Sequence, residues 1–560
     1  MMRRRFACCF SRLVSCCYSS LILLLQEEQD RMVALRQTVE FEKLLDEGEA
    51  LAEIQVKDDS PELIAKIPSV TVDDLATTGY EPPMLIDEDR EGSGVPVLVH
   101  EVVSSFGIVY VDFGIDISSL DFEDIFLLPL LTKLMLQGGT EKYSDVQIAR
   151  EIGKNTGGIE GDIRFEAILS ENVTASYLVP DGEHLHTKMF MRAAATKEKA
   201  VKLFELLAEI TFKPKLDVRD LAVSILRDEI SDKERMLAGG GTTFATKRLQ
   251  CRYSPLYALM EKKSGLSSLP LLRTALDTAQ NDWGNFLERL QKMKDAIVKS
   301  DRKGMVLNLT GDKHVLKHVT PLVSHFLKKR LPGRFSGPSL PDFQKEVHPW
   351  VAHAKEFMSK ECPIRDEGIL STGLVNFVGK GGHVYKTGEP VPGSMSVVTQ
   401  YVEYNNFFLQ IRERRGAYGA FADIDKWTGM VTFMSYRDPN LSETLQVYAG
   451  VPQYLDEQMK NPATAIPLIN SAIIGTIGRL DGSAPQPNTV GYISLLQWLR
   501  GSTKEVRQTW REDILKTNNN AFLEYAKLLR QWEPSLAISG PKSVLEKEKS
   551  LNLTLMDLLA

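Results

Sequence analysis

Acidic residues are missing from the first 26 positions, cysteine is nearly missing after position 17, and neither H-x-x-E-H nor H-E-x-x-H occurs in the 560 residues. Four of the six cysteines (Cys8, Cys9, Cys16, Cys17) sit in that opening stretch, so only Cys251 and Cys362 remain for the body. Two isolated thiols exclude a disulfide framework, favour a reducing compartment and read as buried side chains. Without either histidine motif there is no helix-borne zinc pair with a general base between its ligands. Basic charge is not in excess either: 67 lysines and arginines face 74 acids, a net charge of −7. Nucleic-acid binding, which needs a concentrated basic surface, has no electrostatic support. The longest apolar stretch near the start, Leu21 to Leu25, is too short to cross a bilayer, and no membrane span is expected. Gly239-Gly240-Gly241 lacks the lysine and hydroxyl residue of a phosphate loop and follows a helical pattern, so it reads as a helix terminator or hinge.

What remains is a globular composition, 43% hydrophobic and 25% charged, with length for two to four domains. Residues 1–26, rich in arginine and serine, fit an organelle transit peptide or an arbitrary start. Residues 27–60 carry apolar side chains at three- and four-residue spacings (Met32, Leu35, Val39, Leu51, Ile54), which predicts helix. Residues 61–94, broken by Pro68, Pro82 and Pro83, read as an extended connector lying along another surface.

Two larger units follow with a similar order of elements, 95–332 and 333–560. In the first, strands are expected at 97–101 and 108–116, then a helix at 123–136 with Pro129 near its start, and a short helix capped by Ser144. Strands at 159–169 and 174–179 precede helices at 197–210, 218–237 and through 242–300, a strand at 305–310 and a helix at 313–329. In the second, 333–368 reads as linker, 374–378 as strand, 394–410 as helix and 417–424 with 430–436 as a hairpin, with helices from Ser442 and Ala463. The pattern is an α+β fold of two tandem domains, antiparallel-rich sheets covered by helices.

Arg412 and Tyr418 stand six residues apart across a glycine-containing turn, in I-R-E-R-R-G-A-Y-G. A guanidinium and a phenol both donate hydrogen bonds to oxygen, as gripping a peptide carbonyl requires. Read alone, the pair is most simply a cation at a helix C-terminus and an aromatic packed on a sheet. Arg414 and Arg415 read as solvated turn residues. His314, His318 and His325 share one face of a predicted helix but are flanked by lysines, and they read as surface histidines, as do His184 and His186.

Several strings in order make residues 27 to about 540 resemble the C-terminal half of presequence proteases, in the pitrilysin (inverzincin) group of metallopeptidases. They are N-T-G-G-I at 155–159, I-R-E-R-R-G-A-Y-G at 411–419, S-Y-R-D-P-N-L at 435–441, A-I-I-G-T-I-G at 472–478 and G-Y-I-S-L-L at 491–496. The resemblance implies the third and fourth of four pitrilysin-type α+β domains, with 27–60 a remnant of the helical hairpin that joins the two halves. It implies that Arg412 and Tyr418 bind the substrate backbone, that this chain supplies no catalytic or metal residue and binds no cofactor itself, and that zinc belongs to a complementary half. Arg415 stands where the family favours glycine, and a long cation there could alter the approach to Tyr418.

The function expected on that basis is the substrate-binding half of a zinc metalloendopeptidase. It would degrade targeting peptides and other short unstructured peptides in the mitochondrial matrix or chloroplast stroma, with a zinc-bearing N-terminal half as partner. The alternatives are a non-catalytic peptide-binding or scaffold subunit, and a truncated gene product.

Overall fold

The computed structural model describes residues 28–558 except 36–40, 57–59, 65, 171–178, 299–301, 333–345 and 483–485. The transit-like leader, most of the expected strand at 174–179 and much of the expected linker at 333–368 therefore lie outside the described residues. The chain divides at Val70. Before it, Phe41–Val56 and the short Pro61–Ile64 are helical, and Leu45, Leu51 and Ile54 of the first are exposed.

Residues 71–560 carry two six-stranded sheets. The first holds β1 (Leu85–Asp87), β2 (Val97–Glu101), β3 (Ile108–Asp116), β4 (Ile159–Ser170), β5 (Val179–Thr196) and β6 (Val306–Gly311). The second holds β7 (Glu367–Ser371), β8 (Phe377–His383), β9 (Gly419–Asp425), β10 (Met430–Tyr436), β11 (Ser535–Pro541) and β12 (Thr554–Met556). Their orders, β1-β2-β6-β3-β5-β4 and β12-β7-β11-β8-β10-β9, superpose strand for strand except at the first edge. Both have one inner parallel pair, β2 with β6 and β7 with β11, followed by antiparallel pairs to the far edge. The duplication expected from element order is thus a duplication of pairing pattern.

Every residue of β6 and β7 is buried, so the inner strands are covered on both faces. One face is covered by helices of the same half. The other is covered by a helix from the opposite half. Gly241–Gln250 crosses to the second sheet, where Ala245 and Leu249 pack with Met430, Met434 and Ala537. Pro487–Leu499 crosses to the first, where Tyr492, Leu495 and Leu499 pack with Leu98, Phe190 and Val306. Both crossings depend on glycine: a Cβ on Gly241 would stand 2.4 Å from the Phe377 ring, and one on Gly491 1.8 Å from Thr310 Oγ1.

A buried ionic knot anchors the first crossing. Arg248 donates to both oxygens of Glu367 at 2.9 and 2.7 Å, and Arg252 adds a bond at 2.8 Å. Burial would raise the Glu367 carboxyl, but these hydrogen bonds and charges more than reverse it and hold the group ionised. Arg248 also reaches Cys362 Sγ at 3.3 Å, and both body cysteines are buried and free.

The stretch read as linker is corrected in part. Trp350–Glu361 is a helix whose Trp350, Val351, Ala354 and Phe357 complete the first core, and β7 begins at Glu367. The polar, proline-broken approach to this helix masks its apolar spacing. The helix expected at 394–410 divides into α-helix Ser394–Val402 and π-helix Glu403–Glu413. His186, read as a surface residue, is buried in β5. Residues 71–94 do lie along other surfaces: Leu75 packs on the second core, Ala76 O accepts from Arg511 at 2.8 Å, and β1 pairs with β2. Pro462–Asp481 is long and apolar enough to cross a membrane by composition, and here its Ile469, Ala472, Ile473 and Ile477 face the second core.

Two outcomes follow for stability. Replacing Glu367 by alanine strands two guanidinium groups in the interior and should cost about 3–5 kcal/mol, read from urea unfolding midpoints. His100 and His348 are buried, which lowers both to about 4 and keeps the rings neutral in the fold. The unfolded rings take up protons near pH 6.5, so stability present above that value should fall as pH drops towards 4, at about 1.4 kcal/mol per unit for each ring. Unfolding midpoints at pH 7.5, 6, 5 and 4.5 test the sign.

Candidate peptide-binding site

Arg412 lies in the last turn of the π-helix and Tyr418 immediately precedes β9. The wide helical turn is closed by Arg414 N–H donating to Leu409 O at 3.1 Å, a five-residue step. Gly416 N–H then bonds Arg412 O at 2.9 Å and Ala417 N–H bonds Ile411 O at 3.1 Å. Gly416 takes φ +78, open to glycine at no steric cost. The reversal sends the chain into β9, with Tyr418 N–H on Tyr436 O at 3.1 Å.

Both side chains point to solvent. Tyr418 is 67% exposed and rests edge-on against Tyr436, with ring centres 5.8 Å apart. The Arg412 guanidinium lies 5.0 Å from the centre of the Phe408 ring and makes no hydrogen bond or ion pair among the described residues. An arginine stacked on an aromatic with its donors free is pre-oriented for an acceptor that arrives from outside. The reading of these two as mere packing and helix-end electrostatics is not what the geometry shows for Tyr418, whose ring is mostly bare.

Arg414 is exposed, but Arg415 is not a free cation beside Tyr418. It folds back and donates to Gln410 O at 2.6 Å, satisfying a carbonyl at the helix end. The turn is held from below by S-Y-R-D-P-N-L. Asn440 Nδ2 donates to Arg415 O at 2.8 Å, and Asp438, fully buried, accepts from Asn440 N–H at 2.9 Å and Thr444 Oγ1 at 2.6 Å. A-I-I-G-T-I-G positions the preceding helix: a Cβ on Gly475 would sit 2.1 Å from Gln400 Nε2, and Thr476 Oγ1 donates to Gln400 Oε1 at 2.8 Å.

From Tyr418 the exposed face continues along β9, an edge strand with Phe421 and Asp423 outward and Ala420, Ala422 and Ile424 buried. Asp423 has an open surface yet is walled by protein. Burial raises its carboxyl pKa, and repulsion from Asp425 and Glu403 adds to the rise. Asp425 is engaged by Tyr257 OH at 2.5 Å and Thr428 Oγ1 at 2.8 Å, and Glu403 by Arg479 at 2.6 Å. The sequence reading missed Asp423 and Tyr257. Asp423 had only alternation in a strand as its signal, which does not say which face lies open, and Tyr257 lies in the helix Pro255–Ser264, where spacing does not show a partner on a distant strand.

Among the described residues no three His, Cys, Asp or Glu side chains converge as a metal site would require. His314, His318 and His325 are exposed on one helix, and His184 Nδ1 is bonded to Asp181 at 2.6 Å.

Two family models match the chain: "Peptidase M16C associated" over residues 24–274 and "PreP C-terminal domain" over residues 366–534. Presequence protease 1, chloroplastic/mitochondrial, of Arabidopsis thaliana is 29% identical over 90% of this chain and 43% of its own length. Protein HypA of Clostridium perfringens is 25% identical over 91% of this chain and 48% of its own length. The chain spans under half the length of either relative. Among solved structures, the peptidase M16 inactive domain from Pseudomonas fluorescens superposes with TM-score 0.52 at 14% identity, over 82% of this chain and 98% of that one. A conserved protein from Enterococcus faecalis gives TM-score 0.54 at 14% identity, over 82% and 99%, a likeness of fold. The chain belongs to the presequence-protease branch of the M16 peptidases, whose longer members it matches in their C-terminal half.

Proposed function

We propose that this chain is the peptide-gripping half of a presequence-protease-like zinc endopeptidase, acting on targeting peptides and other short unstructured peptides. The observation that carries the reading is Arg412 and Tyr418 flanking one turn, both exposed and with their donors free among the described residues. An extended peptide offers a carbonyl oxygen at each residue. A charged fork and a phenol can take one or two of them without reading side chains. The exposed Asp423 carboxyl on β9 suits the arginine-rich composition of targeting peptides. Hydrolysis requires a zinc-activated water, which in this proposal a complementary zinc-bearing half supplies. An organellar setting, mitochondrial matrix or chloroplast stroma, is supported by the names of the relatives, which are chloroplastic/mitochondrial or mitochondrial presequence proteases.

Binding of a fluorescein-labelled arginine-containing peptide tests the grip. Arg412→Ala should weaken it by about 1.5–3 kcal/mol and Tyr418→Phe by about 0.5–1.5 kcal/mol, with unfolding midpoints unchanged because both side chains are exposed. Affinities within twofold of the unaltered chain in both variants would remove the site. Mixing the chain with a zinc-bearing N-terminal half of a presequence protease should restore cleavage of the same peptide. Association of the halves with zinc bound and the peptide left intact would sink the catalytic part of the proposal.

A further inference from the structure

At the far end of β9 a cleft of about 680 Å³ opens between the connector at Thr78–Pro82, the end of helix Pro462–Asp481, and helices Pro487–Leu499 and Lys504–Leu515. Its wall is largely apolar, with Leu480, Val490, Ile493 and Trp510, and it carries three cations. Two are already matched by carboxylates. Arg511 holds Asp481 through two bonds of 2.6 and 2.9 Å, and Arg507 holds Glu81 through two more, one of 3.0 Å. The third, Lys426, has no hydrogen bond or ion pair among the described residues. Its ammonium is 4.5 Å from the centre of the Trp427 ring and 5.2 Å from that of Trp510. Asp425, the nearest acid in sequence, forms its hydrogen bonds with Tyr257 and Thr428. Burial lowers Lys426 to about 8, with repulsion from Arg500 and Arg507 adding to the shift and attraction from Asp425 opposing it.

We propose that this cleft receives the C-terminal carboxylate of the bound peptide, with Lys426 as its counter-ion and the apolar wall taking the last side chains. The assignment rests on the peptide-gripping reading and extends it. A single unpaired ammonium in an apolar cleft suits one negative charge with an organic tail, and Glu81 and Asp481 in the same wall oppose a multiply charged anion. The route is β9 itself. Lys426 follows its last residue and Tyr418 precedes its first, so the 7 residues of β9, about 26 Å of extended chain from Tyr418 to Lys426, separate the grip from the cleft, and Phe421 and Asp423 lie bare between them. The edge offers no free ladder at mid-strand, since Ala422 N–H is taken by Glu403 at 3.3 Å. The peptide therefore lies over the exposed face of the strand. Strand length becomes a ruler from a gripped carbonyl to a free terminus.

The test is fluorescence anisotropy on the full chain, with one ten-residue arginine-containing peptide, N-terminally labelled, made as the free acid and as the C-terminal amide. The acid should bind about tenfold tighter. Lys426→Met should abolish that preference while leaving the amide's affinity unchanged, and Lys426→Arg should retain it. Peptides truncated to four residues should lose the preference. Equal affinities of acid and amide for the unaltered chain, both still weakened by Arg412→Ala, overturn the carboxylate cleft and leave the grip standing. That comparison needs no variant, so it decides the matter even if Lys426→Met fails to fold. Binding of neither peptide, or binding indifferent to Arg412→Ala, overturns the grip and the cleft together. Decanoate displacing the acid peptide at equal concentration would reassign the cleft to a free fatty carboxylate.

Discussion

The mutual covering of two sheets by exchanged helices is the constraint on which the rest of the structure depends. A sheet buried on one face by its own helices still has a second apolar face, and here neither half covers its own. Gly241–Gln250 and Pro487–Leu499 each leave their half and lie on the other sheet, so the two cores are completed together. Glu367, gripped by Arg248 and Arg252, ties one crossing. Tyr492, bonded to Asp162 at 2.9 Å and stacked 3.8 Å from the Arg192 guanidinium, ties the other. Arg500 joins it by holding Glu166 and accepting Leu169 N–H on its carbonyl at 2.8 Å. Ion pairs placed this deep contribute little net stability but penalise every other arrangement.

The covering helix is shorter than the sheet is wide. It lies over β8, β10 and β11, where Gly379 and Gly381 admit Leu249, and leaves one face of β9 open. The site occupies that bare margin. Around it several polar groups are matched: Arg415 on Gln410, Asn440 on Arg415, Asp438 on Asn440 and Thr444, Glu403 on Arg479. Arg412, Tyr418 and Lys426 belong to the groups left without such partners among the described residues. A scaffold that has satisfied its own donors and leaves a few pointing outward has arranged them for something else.

Much of the fold was legible because the periodicities were clean. Most helices and the strands at 97–101, 108–116, 159–169, 305–310, 417–424 and 430–436 fall where alternation and three-to-four spacing put them, whereas β1, nearly all of β5, β7, β11 and β12 were not expected; the turn residues, Gly416 and the Ser144 cap among them, act as their chemistry requires. Trp350–Glu361 was misread since its apolar residues, standing after a polar stretch, look like linker until a core exists for them to complete. His186 was misread because alternation alone does not distinguish a solvated face from one covered by a distant helix. The quoted strings were recognisable as signatures, but their work was hidden. Asp438 and Asn440 hold a turn, and Gly475 and Gly491 admit a side chain of a neighbouring element.

By itself the amino-acid order determined the α+β class, the tandem repetition, the free body thiols and the placing of Arg412 and Tyr418 about a glycine turn, since each follows from local spacing and local chemistry. Only the tertiary structure decided that helices exchange between sheets, that β9 keeps one face bare, and that Lys426 is left unmatched over a cleft. Those facts depend on which distant surfaces meet, and exposure is what remains after every such meeting has been made.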